Sequence, residues 1–156
     1  MKKALLFFVI FILFSGLIKA QTNKEEIDIM QAAFGMEKKA MVAEFVQVDD
    51  AQKDAFWKLY DEYETQRKVY GKQRIDLLNE YTDTYQKMTN ESADAWLQKT
   101  LDLGKKTDAL LLSYYKKVKK ATNPINALQF YQVENFILTG IRNQIMGELP
   151  FVEVKK

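Results

Sequence analysis

The segment 49–64, DDAQKDAFWKLYDEYE, contains the residue types that most suggest chemistry. It places six carboxylates among four aromatic side chains. Carboxylates that converge in a cleft can serve as a general acid and base, or can bind calcium through their oxygens. The same residue types also occur on the solvated face of an amphipathic helix, so the spacing must distinguish the two interpretations.

The absence of Cys and His from the whole chain limits the alternatives. Zinc, copper and nickel sites built on thiolate or imidazole are excluded, and no disulfide can form. The commonest catalytic base is also missing. An all-carboxylate site, for calcium or for glycoside hydrolysis, is the metal or acid/base option that remains.

The spacing favours the solvated face. At about 100° per residue, a helix over this region gathers one long apolar and aromatic stripe. The stripe consists of Phe56, Leu59, Tyr60, Tyr63, Tyr70, Leu77, Leu78, Tyr81, Tyr85 and Met88. The carboxylates that point away from it are Asp50, Asp54, Asp61, Glu62, Asp76, Glu80 and Asp83. Because these acids are spread among lysines, we expect no catalytic site, no metal site and no cofactor.

Pro and Gly are rare, and the chain after residue 20 shows helical periodicity nearly throughout. We predict an all-α protein with four helices, over about 24–46, 49–87, 89–120 and 123–147. The predicted start and stop signals are Asp49 with Gln52 as a capping box, Thr89 or Asn90, Asn123 before Pro124, and Gly147 with Pro150. No linker or repeat divides residues 21–156, which we predict to be a single domain.

Residues 1–20 have the features of an export signal. Lys2 and Lys3 precede an apolar run over 4–18, and Ala20 suits cleavage. An uncleaved anchor is the alternative. The segment holds three lysines and no acid, so its removal changes the formal charge from +2 to −1. The sequence therefore predicts a periplasmic protein with no membrane contact after cleavage and no nucleic-acid partner.

Two arginines interrupt the apolar stripe. Arg67 and Arg74 lie seven residues apart near its centre, and Glu134 lies in the middle of a comparable stripe on the last helix. Charges on a packing face are unfavourable unless they are paired. One interpretation is an internal ion pair between Glu134 and one of the arginines, and the other is a groove that binds a peptide or ligand. The aromatic stripe is similarly either core or a partly exposed surface.

Several short segments resemble one group of exported proteins. VDDAQ, residues 48–52, resembles the LTxxQ motif of Spy/CpxP-like periplasmic proteins, with Gln52 at the Gln position. AFGMEKKAMVAEF, RIDLLNEY and NALQFYQVENFI are similar to the helical proteins labelled sensors of ECF-type sigma factors. The resemblance implies an elongated four-helix arrangement in which two long helices form a helical hairpin. It also implies envelope-stress or chaperone-like work.

These observations together lead to a non-enzymatic periplasmic protein as the first hypothesis. It would bind unfolded segments or a signalling partner through its amphipathic helices and would form a homodimer. The predicted partner-binding residues are Phe56, Tyr60, Tyr63, Arg67, Tyr70 and Arg74. One alternative is a scaffolding helical dimer that binds no client. Another is a hydrolase that uses carboxylates, which the wide spacing of the outward-pointing acids disfavours.

Overall fold

The computed structural model describes residues 24–152, with side-chain burial from residue 34 onward. The secondary structure consists of α1 (Lys24–Phe45), α2 (Asp50–Thr84), a short 3-10 turn (Tyr85–Lys87), α3 (Asn90–Ala121) and α4 (Pro124–Glu148). No strand occurs among the described residues, so the all-α prediction is confirmed there. The predicted export signal at 1–20 lies outside them. Over the described range, no helix has the length and hydropathy that a membrane span requires.

The last two helices begin where the sequence predicts. Thr89 and Ser92 form a capping box at the start of α3, with Ser92 N donating to Thr89 Oγ1 at 3.3 Å and Thr89 N donating to Ser92 Oγ at 2.9 Å. Asn123 caps α4 by accepting a bond from the backbone N–H of Asn126 at 2.9 Å, and Pro124 occupies the first turn. These bonds satisfy backbone donors that a helix start would otherwise leave without partners.

The predicted capping box at the start of α2 is wrong. Asp49 precedes the helix with an extended backbone, but its side chain makes no capping bond. The Gln52 side chain does not turn back to Asp49; its amide donates to the backbone oxygen of Thr122 at 3.4 Å. Gln52 therefore joins the start of α2 to the end of α3.

Contacts divide the chain into two compact units, residues 1–41 and 42–156. In the second unit α2 and α3 run antiparallel. Lys99 contacts Glu80 at 2.8 Å near the turn between them, and the Gln66 side chain donates to the Tyr114 hydroxyl at 3.1 Å farther along. Helix α3 also packs against α4.

The aromatic stripe of α2 faces the core of this second unit. All ten stripe residues are buried or half-buried, and all seven carboxylates predicted to point away are exposed. The division of α2 into a packing face and a solvated face is thereby confirmed. The core side chains of the other two helices are Leu103, Leu110, Leu111, Tyr114 and Val118 on α3, and Ala127, Phe130, Val133 and Ile137 on α4.

Candidate functional site

The centre of the second unit is a buried cluster of aromatic and charged side chains. We define the buried cluster as Phe56, Tyr60, Tyr63, Glu64, Arg67, Tyr114, Phe130 and Glu134. Residues 56, 60, 63, 64 and 67 share one face of α2, and residues 130 and 134 are one turn apart on α4. The Phe130 ring lies edge-on to Tyr63, with centroids 5.4 Å apart, and to Phe56 at 6.4 Å. The Tyr114 ring lies 5.5 Å from that of Tyr63.

The guanidinium of Arg67 forms a bidentate ion pair with Glu64, one turn earlier on the same helix. Nε lies 2.7 Å from Oε1, and the second bond to Oε2 is 3.1 Å. Burial lowers the pKa of Arg67, but the adjacent Glu64 and the charge of Glu134 outweigh burial, so this pKa is raised. Arg67 thus bonds to Glu64, a partner that the sequence interpretation did not name, and the charge of Glu134 acts on Arg67 as well.

Two tyrosines of the buried cluster remain neutral at any ordinary pH. Burial is the largest cause of the raised pKa of Tyr63, followed by the charge of Glu134 and a hydrogen bond to that carboxylate. Burial and then the charge of Glu134 also raise the pKa of Tyr60. Both phenols thus stay protonated. The buried cluster stabilises charge inside the fold.

Four of the six residues predicted to bind a partner belong to this interior. Phe56, Tyr60 and Tyr63 are at most 1 % exposed, and Arg67 is buried as well. In this structure they pack against α3 and α4 and offer no surface to a partner. Tyr70 and Arg74 are half-buried and remain accessible.

Arg74 lies at a cavity between the far ends of α2, α3 and α4. The cavity also includes Arg142, a residue that the sequence interpretation did not consider. Burial and then the positive charge of Arg142 lower the pKa of Arg74, against an opposing effect of Asp108. The available sequence signal was that Arg142 is the one basic residue in α4.

A second surface missed by sequence reasoning is the outward face of α4. Between residues 124 and 140 its single charged residue is Glu134, and that side chain points inward and is fully buried. The exposed large apolar side chains on α4 are Ile125, Leu128, Tyr131, Phe136 and Met146. The exposed residues of α2 and α3, in contrast, are dominated by acids and lysines. The outward face of α4 therefore differs from the other helix surfaces of this unit.

Within the described part of the chain, no group of three or more His, Cys, Asp or Glu residues could hold a metal ion. No protein-family model, curated protein or solved structure matches the chain. What the protein does is therefore inferred from the buried cluster, the cavity at Arg74 and the outward face of α4.

Proposed function

We propose that the protein is a non-enzymatic, exported helical protein that binds apolar segments of partner proteins through the outward face of α4. The observation that carries this proposal is the absence of exposed charge over residues 124–140. Charged residues are depleted at the centres of protein interfaces, because each charge must lose its water when the partner binds. The outward face of α4 has the composition of such a centre.

The spacing of the exposed side chains supports the recognition of an extended or helical segment. Ile125, Leu128, Gln132 and Phe136 follow one another at intervals of three or four residues, so they form a line along α4. Apolar side chains of a bound segment would be buried against Ile125 and Leu128. Neutral amides such as Gln132 would exchange hydrogen bonds with the segment backbone without the desolvation of a full charge.

The buried cluster has a supporting role in this proposal. Its ring contacts hold α2, α3 and α4 together, and the opposite side of α4 faces solvent. Partner binding is thus assigned to the outward face of α4 in place of Phe56, Tyr60, Tyr63 and Arg67. Periplasmic location and envelope-stress or chaperone work remain part of the proposal, supported by the export-type residues 1–20 and by the resemblance to Spy/CpxP-like proteins.

The chain offers a matched pair of variants for the test. Leu128 on α4 is 50 % exposed and Leu112 on α3 is 48 % exposed, but Leu112 lies among lysines and acids. We expect Leu128→Lys to lose the ability to suppress aggregation of a chemically denatured protein diluted into buffer. Leu112→Lys should retain it, and a chelator should change neither result. Equal activity in both variants and the unsubstituted chain would refute the assignment.

A second candidate function is a scaffolding dimer, since an uncharged helix face also suits a second copy of the chain. Sedimentation of the same variants distinguishes the two. The scaffold is favoured if Leu128→Lys dissociates a dimer and the unsubstituted chain has no effect on aggregation of the denatured client. If the unsubstituted chain suppresses aggregation of the denatured client and Leu128→Lys does not, the result favours the binding protein.

A further inference from the structure

Charge is unevenly distributed along the second unit. Between Asp108 and Glu148 the chain has five basic residues and a single acid, Glu134. Glu134 is fully buried, so every exposed charge in this part of the chain is positive, including Arg142 at the cavity. Residues 49–108, in contrast, hold thirteen acids and ten basic residues. The end of α3 and the exposed sides of α4 therefore attract negative charge, whereas α2 does not.

The positive charge is concentrated in the last turns of α3. We define the lysine rim as Lys116, Lys119 and Lys120, which are all exposed. Among the described residues the lysine rim forms no salt bridge, whereas Lys53, Lys99 and Lys105 contact carboxylates at 3.0, 2.8 and 3.3 Å. Positive charge stabilises the last turn of a helix, which accounts for Lys119 and Lys120 but not for Lys116. The lysine rim is therefore available to carboxylates of another molecule.

The lysine rim borders the outward face of α4. The ring of Tyr115, immediately before Lys116, lies edge-on to that of Tyr131 on α4, with centroids 6.2 Å apart. Lys119 is one turn beyond Tyr115 on the same side of α3, and Tyr131 is one turn beyond Leu128 on α4. Unpaired positive charge and exposed apolar side chains thus lie on adjacent helices at the same end of the unit.

We propose that the segments bound by the outward face of α4 are acidic as well as apolar, an inference that rests on the function proposed above. The apolar side chains of such a segment would be buried against Ile125 and Leu128, and its carboxylates would lie along the lysine rim. Each exposed charge pair contributes little affinity by itself. Complementary charge nevertheless accelerates association and selects against basic segments.

The polar residues of the outward face favour a protein segment over an anionic membrane. Gln132 and Asn135 are exposed on α4 among the apolar side chains. Hydrocarbon would leave their amides without hydrogen bonds, but the backbone of a bound segment can both donate to them and accept from them. A helix that lies in a membrane surface buries a continuous apolar face, and α4 has none.

Matched peptides measure the charge preference. The probe is a short fluorescein-labelled peptide with leucine at every third or fourth position and glutamate between the leucines, and two further peptides carry glutamine or lysine in place of glutamate. Binding to the full chain is followed by fluorescence anisotropy. We expect the Kd of the glutamine peptide to be about tenfold higher than that of the glutamate peptide, as three exposed charge pairs would give, and that of the lysine peptide to be higher still. The ratio should fall below about threefold in 1 M salt, where the Debye length is about 3 Å instead of the about 10 Å at 0.1 M.

Two sets of substitutions locate the effect. The combination of Lys116→Gln, Lys119→Gln and Lys120→Gln should reduce the preference for glutamate over glutamine to below about threefold. The combination of Lys58→Gln, Lys72→Gln and Lys87→Gln changes the net charge equally, outside α3 and α4, and should preserve the preference. Equal affinities for the glutamate and glutamine peptides, or the same preference in both combinations, would overturn the proposal. Binding to phosphatidylglycerol vesicles through the lysine rim, without binding of any peptide, would also overturn it and would assign this surface to a membrane.

Leu128→Gln separates this proposal from the one on which it rests, because it removes the apolar contact without adding charge. If the glutamate and glutamine peptides bind equally and Leu128→Gln weakens both, the α4 surface binds apolar segments and only the acidic preference is wrong. If Leu128→Gln changes neither affinity, the assignment of binding to α4 is itself wrong. Weaker binding of both peptides in Leu128→Gln, with the tenfold preference intact, supports both proposals.

Discussion

The ion pair between Arg67 and Glu64 provides the sharpest test of how the buried cluster is held together. Both side chains are about nine-tenths buried, and the pair is closed by two hydrogen bonds. Arg67→Met would leave the Glu64 carboxylate buried without its guanidinium and would also remove the positive charge near Glu134. Breaking a buried pair from one side lowers the free energy of unfolding by about 3–5 kcal/mol. We expect a loss in that range.

Glu64→Met alone should lower the free energy of unfolding by less, about 1–3 kcal/mol, because Arg67 still interacts with the charge of Glu134. The double variant should be more stable than the sum of the two losses predicts, with a coupling energy of about 2 kcal/mol. It should not recover fully, since Glu134 still lacks the Arg67 charge.

The coupling is measured by urea unfolding of all four proteins, followed by far-UV circular dichroism and by tryptophan fluorescence. Coincident transitions in the two signals would justify a two-state treatment. Lys53 and Asp50, an exposed pair with the same spacing on α2, provide the control cycle, for which we expect a coupling below about 1 kcal/mol. Additive losses at Arg67 and Glu64, within about 0.5 kcal/mol, would refute the view that this pair stabilises the interior.

Two further predictions concern stability. Because the pKa values of Tyr60 and Tyr63 are raised from the ordinary value of 10.0, the folded state retains two protons that the unfolded chain releases above that pH. These two groups should therefore leave the free energy of unfolding unchanged below about pH 10 and lower it above that pH by up to about 2.7 kcal/mol per pH unit. Urea unfolding curves recorded at a series of pH values measure this slope, and Tyr63→Phe should halve it. Gly104 lies within α3, with open space where a Cβ would be. Gly104→Ala should therefore raise the free energy of unfolding by about 0.4–1 kcal/mol. A decrease would show that the position requires glycine.

The helices and their solvated faces were predictable because they depend on local rules. Helical periodicity separated the carboxylates of α2 from its aromatic stripe, and capping residues marked the starts of α3 and α4. Each of these features is decided by residues within a few positions of one another. The rules therefore needed no knowledge of which helices are neighbours.

The partners of individual side chains were not predictable in the same way. Arg67 had a carboxylate one turn away at Glu64 and another on the last helix at Glu134, and periodicity alone does not choose between them. Gln52 had the right spacing for a local cap, but its amide bonds to Thr122 because α2 and α3 meet there. The tertiary arrangement decided both cases. The sequence did not single out Arg142, because Arg142 lies close to Arg74 only in the folded chain, and Arg74 is 68 positions earlier in the sequence.

Over residues 124–140, helix α4 carries its one charged side chain on the packing face, and this placement links the buried cluster to the proposed surface. An ordinary amphipathic helix directs its charged side chains outward and its apolar side chains inward. Helix α4 directs Glu134 inward, where its charge raises the pKa values of Arg67 and Tyr63, while Leu128 and Ile125 point outward. Solubility alone would favour lysine or glutamate at the outward positions, as found on α2 and α3. A helix face that carries no charge and exposes Ile125 and Leu128 is suited to contact with a second apolar surface, and Leu128→Lys tests that use directly.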